Sequence, residues 1–347
     1  MSSPRRALTL LEVLVALAVL ILFLATAFPA RRATLDAASA ARELAAAKDQ
    51  LIALRSYASD NRGRIMPSAA HWAWVHQPES AYSLFPRNPW NTSRRMSGSE
   101  VKVWTLHLMG AGYLRPETFV VDRATRNVFD ARSPLPQTVS ANIESYTISS
   151  RQTAYAWHPT LGMNAAYVGG AYVFGAFRGQ TSGGSSPFGN PAPAPNPRTS
   201  GGQFYVQSFD AIKRPSQLII FASARAGDVI NGGAFWNYGA AIPNSGTIRP
   251  GHWAVLPPAA SPNGRGSYSQ PYSLANAWIS SNTYNPAQIP GAWGMMDLRH
   301  DNHAVTVTAD GHAELQTLEQ LRDMRKWSNV ANKPNWTFPT NIRQIQW

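Results

Sequence analysis

The chain opens with seven polar and basic residues and then runs almost purely apolar from Leu8 to Phe28. Those twenty-one residues make roughly 31 Å of helix at 1.5 Å per residue, about the thickness of a bilayer core. The pattern therefore predicts a helix whose first half spans a membrane. Beyond Pro29 the period changes. Ala37, Ala41, Leu44, Ala47, Leu51, Leu54 and Ala58 recur at three- and four-residue steps, with Arg42, Glu43, Lys48, Asp49 and Arg55 elsewhere. This predicts an amphipathic continuation over 31–60, stopped by Asn61-Arg62-Gly63.

The remainder, 61–347, reads as a head of short strands and long loops. Segments 102–108 and 217–223 are β-like, the second introduced by Arg214-Pro215-Ser216. Residues 179–202 combine Gly, Ser and Pro and bury too little apolar surface to pack. Residues 242–290 are rich in Pro and Asn but carry Trp253, Tyr268, Tyr272, Trp278 and Tyr284, which predicts order through aromatic packing. Near the end, 303–309 alternates, Asp310-Gly311 supplies a two-residue type I′ turn and 312–316 returns. A short helix then follows over 318–327. The fold class expected is α+β, a long N-terminal helix packed on an antiparallel sheet.

Glu12 stands out because it is the lone carboxylate in the apolar run. An ionised side chain within a bilayer costs on the order of a few kcal/mol, so a segment that only spanned would not carry one. The chain can make the counter-charge. Residues 1–7, with Arg5 and Arg6, read as a cytoplasmic leader. A cut between Ala7 and Leu8 frees an α-amine one turn from Glu12, on the same helix face. The competing reading is an ordinary secretory signal, for which Ala25-Thr26-Ala27 offers a small-x-small site.

The basic leader followed by Ala7-Leu8-Thr9-Leu10-Leu11-Glu12, with Pro29 at the end of the apolar part, resembles the class III signal of type IV pilins and type II secretion pseudopilins. Ala7 replaces the usual glycine before the cut, and Leu8 the usual phenylalanine or methionine after it. The resemblance implies a pilin-like fold and cleavage by a prepilin peptidase at Ala7/Leu8 with N-methylation of Leu8. It also implies assembly aided by Glu12, and a helix kink at Pro29. Residues 1–7 are then the leader, 8–30 the transmembrane and assembly helix, 31–60 its continuation, and 61–347 a periplasmic or extracellular head. The partners implied are the peptidase, other pilin or pseudopilin subunits, an inner-membrane assembly platform and membrane lipid.

A second resemblance lies at the other end. Arg299-His300, nine residues, then Asp310-Gly311-His312 is similar to a His-then-Asp-Gly signature closing the heads of a group of bacterial pilin-like proteins. Leu161-Gly162-Met163-Asn164 and Arg214-Pro215-Ser216 echo two further segments of those heads. A usual Ala-Asp-Ser strand end is here Ala222-Ser223-Ala224, so one acidic position is missing.

Composition narrows the chemistry. There is no cysteine, which excludes disulfides and thiolate metal sites. The formal charge is +12, spread over Arg62/Arg64, Arg94/Arg95, Arg123/Arg126/Arg132 and Arg322/Arg325/Lys326 with no nucleic-acid-binding motif beside it. Nucleic acid is therefore not expected as a partner. Hydrolase elbows, phosphate loops and zinc-helix motifs are absent, and no enzyme is expected. Pseudopilin heads commonly hold calcium in a carboxyl-terminal loop, which makes Asp297 and Asp301 the candidate hard-oxygen ligands. Twelve tryptophans and the basic surface invite a second reading, a membrane-anchored or secreted envelope binding module for glycan or nucleic acid, with Trp72 and Trp74 as the candidate stacking pair. The function expected is a structural subunit of a pseudopilus or pilus-like filament.

Overall fold

A computed structural model describes residues 10–68, 87–88, 91–95, 103–123, 125–127, 138–141, 144–147, 155–170, 205–226, 250–259, 278–288 and 290–337. For 24–33, 87–88, 91–95, 138–141 and 144–147 it describes the backbone alone. The leader and Leu8, the loop 179–202, Trp72 and Trp74 lie outside the described residues.

One helix, α1, runs from Leu10 to Asp60 without interruption, through Pro29. The chain divides into two compact units, Met1–Arg42 and Glu43–Trp347, and α1 contributes to both. In the first unit every described side chain from Leu10 to Phe23 is exposed. Among the described residues no helix is long and apolar enough to cross a membrane, which overturns the expected membrane-spanning first half.

In the second unit α1 packs through Ala46, Ala47, Leu51, Ala53, Leu54 and Ala58, all buried. Its end closes with Gly63 N–H donating to the Ala58 carbonyl at 2.7 Å, five residues back, while Arg62 and Gly63 take φ of 60° and 76°. That is the left-handed C-terminal cap that Asn-Arg-Gly forecast. Ala37 and Ala41, expected on the core face, are exposed. The buried stripe instead runs Glu43, Ala47, Gln50/Leu51, Leu54, Ala58 and so contains two polar residues.

Gln50 is one of them. Its side chain is fully buried, and neither amide atom has a hydrogen-bond partner among the described residues. Burying an unsatisfied amide costs about 1–3 kcal/mol. Gln50→Met keeps the volume and removes the polar atoms, so it is expected to stabilise the head by about 1–2 kcal/mol. A denaturant melt with unchanged or lower stability would show that the amide is satisfied in solution.

The strands form two separate hairpins and one five-stranded sheet. The hairpins are β1 (Arg87–Asn88) with β2 (Asn91–Arg95), and β3 (Thr138–Ala141) with β4 (Glu144–Thr147). The sheet contains β5 (Leu161–Asn164), β6 (Ile219–Ser223), β7 (Ala254–Val255), β8 (His303–Thr308) and β9 (Ala313–Thr317), in the order β7-β5-β6-β8-β9. It is antiparallel except for β5/β7, which pair parallel. Gly162 permits that close pairing, since a Cβ there would lie 2.7 Å from the Ala254 carbonyl carbon and 2.9 Å from the His252 carbonyl oxygen.

Three local expectations change. Segment 102–108 is not a strand: α2, Trp104–Gly110, is a helix with Trp104, Thr105, Leu106, Leu108 and Met109 all buried. An alternating run buried on every side fits either period, and the Gly110-Ala-Gly112 stop follows it, with Gly112 at φ 77°. The β8/β9 turn is not type I′. Gly311 N–H donates to the Thr308 carbonyl at 3.0 Å and Thr308 N–H to the His312 carbonyl at 2.9 Å. His312 therefore faces Thr308 rather than Ala309, and only Gly311, at φ 103°, is left-handed. That is a three-residue loop with a glycine bulge. Finally, the terminal helix is short: α3, Leu318–Leu321, is held by a Thr317/Gln320 capping box and followed by a 3-10 turn, Met324–Lys326.

Candidate functional site

The second polar residue of the α1 stripe, Glu43, builds the most concentrated polar cluster. The carboxylate is 2% exposed. Ser223 Oγ donates to its Oε1 at 2.6 Å, and His300 Nε2 lies 2.8 Å from its Oε2. A carboxylate only accepts, so His300 carries its proton on Nε2. Arg299 Nη1 stands 4.0 Å from Glu43, while Arg299 Nε stands 3.1 Å from Asp297 Oδ2. Tyr284 OH donates to Asp297 Oδ1 at 3.0 Å, and Arg225 sits over the Tyr284 ring at 5.5 Å. Burial alone would lower the Arg299 pKa, but the Glu43 and Asp297 carboxylates more than offset that and raise it.

The backbone prepares this place. Val305 N–H donates to Ser223 Oγ at 2.8 Å, so a side chain takes over a ladder bond between β6 and β8. The Ser223 carbonyl instead accepts from Asp297 N–H at 3.0 Å, and the Ala224 carbonyl accepts from Arg299. His300 is held by reciprocal backbone bonds with His303 at 3.2 and 2.9 Å. The two residues between them, Asp301 and Asn302, take φ of 50° and 61°. Both central residues are left-handed, so the type I′ turn expected at Asp310-Gly311 is found at Asp301-Asn302. The acidic group beside Ser223 comes from α1, as Glu43.

This arrangement is poor machinery for nucleophilic chemistry. Glu43 lies between Ser223 and His300, whereas an activated serine needs the imidazole between itself and the acid. Ser223 Oγ is also spent on Glu43 and Val305. Asp297 and Asp301 do not suit a calcium ion. Asp297 is fully buried against a guanidinium and a phenol, while Asp301 is exposed in a turn. Among the described residues no group of three or more His, Asp or Glu is arranged to hold a metal.

The segments that carried the second resemblance converge on the sheet. Asn164 Nδ2 donates to the Ile219 and Trp327 carbonyls at 3.0 and 2.8 Å, tying β5 to β6 and to the carboxyl-terminal region. Arg214 Nη2 donates to the Ser328 and Ala331 carbonyls at 2.9 and 2.6 Å. The Pro215 carbonyl accepts from Asp310 N–H at 3.0 Å. Asp310 Oδ1 accepts from Thr308 Oγ1 at 2.6 Å and His312 N–H at 3.0 Å, which closes the bulged loop. Because the charged oxygen is bonded there, the Asp310 pKa is lowered against the desolvation that would raise it.

Other candidates disperse. Trp104, Trp157, Trp253, Trp278, Trp293 and Trp327 are buried core residues. In the basic cluster near the end, Arg322 donates to the Ile279 and Ser281 carbonyls, Arg325 pairs with Asp323, and Lys326 donates to Gln316. Arg62 and Arg64 are exposed. His158 and His252 are buried side by side with the Gly251–Ala254 backbone.

Sequence reasoning missed Glu43, Ser223, Arg299 and Tyr284. Glu43 could have been found, because it sits four residues before Ala47 on the apolar stripe. The pairing of Tyr284 and Arg299 with Asp297 had no sequence signal. No protein-family model, no curated protein and no solved structure matches the chain.

Proposed function

We infer that the chain is a structural subunit that assembles through its N-terminal helix into a filament of the type II secretion pseudopilus or type IV pilus kind. One observation carries this reading above the others. Eleven large apolar residues between Leu10 and Phe23 are exposed, from 44% for Val13 to 81% for Leu10, and they cover every side of the helix. A helix apolar all round needs neighbours all round, which a two-fold dimer does not supply and a bundle of helices does. Burying eleven such side chains contributes roughly 20–30 kcal/mol gross, enough to exceed an association cost of about 4–15 kcal/mol.

Glu12 would leave water in such a bundle and would require a cation. An amine freed between Ala7 and Leu8 would be four residues from Glu12 in the sequence, a spacing that puts both on one helix face, or could come from a neighbouring subunit. Proteolysis by a prepilin peptidase thus switches the subunit to its assembly-competent form, and an assembly platform at the inner membrane receives it. The head is carried on the outer side as the displayed part. Its buried polar clusters, bonded internally, suit a scaffold rather than a reaction centre.

Mass spectrometry of the native protein is expected to find Leu8, N-methylated, at the mature N-terminus. Glu12→Ala is expected to lower incorporation into filaments at least about tenfold at unchanged subunit level, as loss of a desolvated ion pair would. A mature chain that keeps Met1, or a Glu12→Ala chain that enters filaments as well as the parent, would refute this reading.

A further inference from the structure

We propose that the segment from His300 to Gly311 is a two-ended clamp on the chain's own helix α1, and that the nine residues between His300 and Asp310 gauge which helix residues it grips. It closes on Glu43 at one end and on Arg55 and Leu51 at the other. This concerns the head and its own helix only, and it stands whether or not the protein forms filaments.

Length is the first support. His300 is level with His303 through their reciprocal backbone bonds. From His303 to Ala309 the strand advances six residues, roughly 20 Å. From Glu43 to Arg55 the helix advances twelve residues, about 18 Å. The two rulers agree within about half a helical turn. Contacts are found at both ends: His300 Nε2 meets Glu43 at 2.8 Å, and the Arg55 guanidinium donates to the Ala309 carbonyl. At the second end, just past Ala309, a Cβ on Gly311 would stand 4.0 Å from Leu51 Cδ2.

The clamp is itself anchored, so it can hold something. Ala309 N–H donates to the Leu218 carbonyl at 2.9 Å and Asp310 N–H to Pro215 at 3.0 Å, which fixes the tip to the approach of β6. At the other end the Asp301-Asn302 turn and Arg299 fix His300. Sliding α1 by one turn would move it about 5.4 Å. Ala47 or Ser39 would then face His300, and neither offers a carboxylate. Glu43, the first gripped residue, is also the first residue of the second compact unit. The His-x9-Asp-Gly spacing thereby acquires a physical meaning: it is a ruler for helix register.

Residue-resolved native-state hydrogen exchange on the full chain tests this. In His300→Asn, amides 47–50 are expected to exchange about tenfold faster while amides 55–58 keep their protection. Arg55→Met, which retains the stem beneath the cation that now sits 5.6 Å from the Phe209 ring, is expected to give the reverse pattern. The double variant is expected to loosen 47–58 by more than the two single effects combined. If His300→Asn does not fold, His300→Gln takes its place with the same local pattern expected. Equal acceleration of both stretches in each single variant, or no acceleration in either, would overturn the proposal.

Discussion

Glu43→Ala is expected to lower the stability of the head by about 4 kcal/mol, the range measured when one partner of a buried ion pair is removed. The substitution strands three groups at once. Ser223 Oγ loses an acceptor at 2.6 Å, His300 Nε2 loses one at 2.8 Å, and Arg299 loses one of its two carboxylates. Each is buried or nearly so, and water cannot readily repair the loss. Glu43→Gln keeps an acceptor but not the charge opposite Arg299, so about half that loss is expected. Asp49→Ala, on the exposed face of the same helix, is the control and is expected to change stability by less than about 0.5 kcal/mol. Denaturant melts at neutral pH make the comparison. In a cycle with His300→Ala, coupling of about 1–3 kcal/mol is expected, since the two side chains share one network. If Glu43→Ala proves no worse than Asp49→Ala, the cluster is not an anchor.

The long helix was legible because its signals are local. The Asn-Arg-Gly stop acts within a few residues, and α1 ends at Asp60 as it forecast, whereas the membrane-spanning first half was not borne out and the period placed Ala37 and Ala41 on a face where they are exposed. The β8/β9 hairpin was legible in outline for the same reason. Its register was not, because Asp310-Gly311 is compatible both with a two-residue turn and with the tip of a bulged three-residue loop. The deciding contacts are remote: Pro215 takes the Asp310 amide and Leu218 takes the Ala309 amide. Segment 102–108 failed on ambiguity of period, since a short run buried on all sides carries no phase. The polar cluster failed for a different reason. Glu43 comes from α1, Ser223 from β6, Tyr284 from a loop, and Arg299 with His300 from the approach to β8. Only the folded sheet brings them together.

The segments 161–164, 214–216 and 299–312 are spread along the chain, yet each makes a bond that ties the sheet to itself, to α1 or to the carboxyl-terminal segment. Asn164 bonds β6 and Trp327, Arg214 bonds the carboxyl-terminal segment, Pro215 holds the Asp310 loop, and His300 holds Glu43.

Acidification toward pH 4 should weaken the head through two buried histidines. Burial first, and in part the charge of His252, depresses His158 well below the ordinary histidine value. Burial lowers His252 from 6.5 to about 4, the bond to the Ala254 carbonyl offsetting this only in part. Both rings are neutral in the folded state near neutrality. The unfolded chain binds their protons more readily, so stability rises with pH across the interval between folded and unfolded values. The neutral rings' contribution is complete above about pH 6.5 and is lost as pH falls toward 4. At about 1.4 kcal/mol per pH unit, His252 alone accounts for about 3 kcal/mol over the whole interval, and His158 adds in the same direction. Asp310 and Asp323 have lowered values, so their stabilising bonds are lost only below about 3.8, in a separate window, and solvent screening keeps that loss small. Urea melts at pH 7 and pH 4.5 are therefore expected to differ by at least about 2 kcal/mol. His252→Asn places an amide where Nδ1 now lies 2.7 Å from the Ala254 carbonyl. It should flatten the profile between those two pH values whatever it does to stability at pH 7. A parent protein equally stable at both would mean that these rings stay accessible to protons in the folded head.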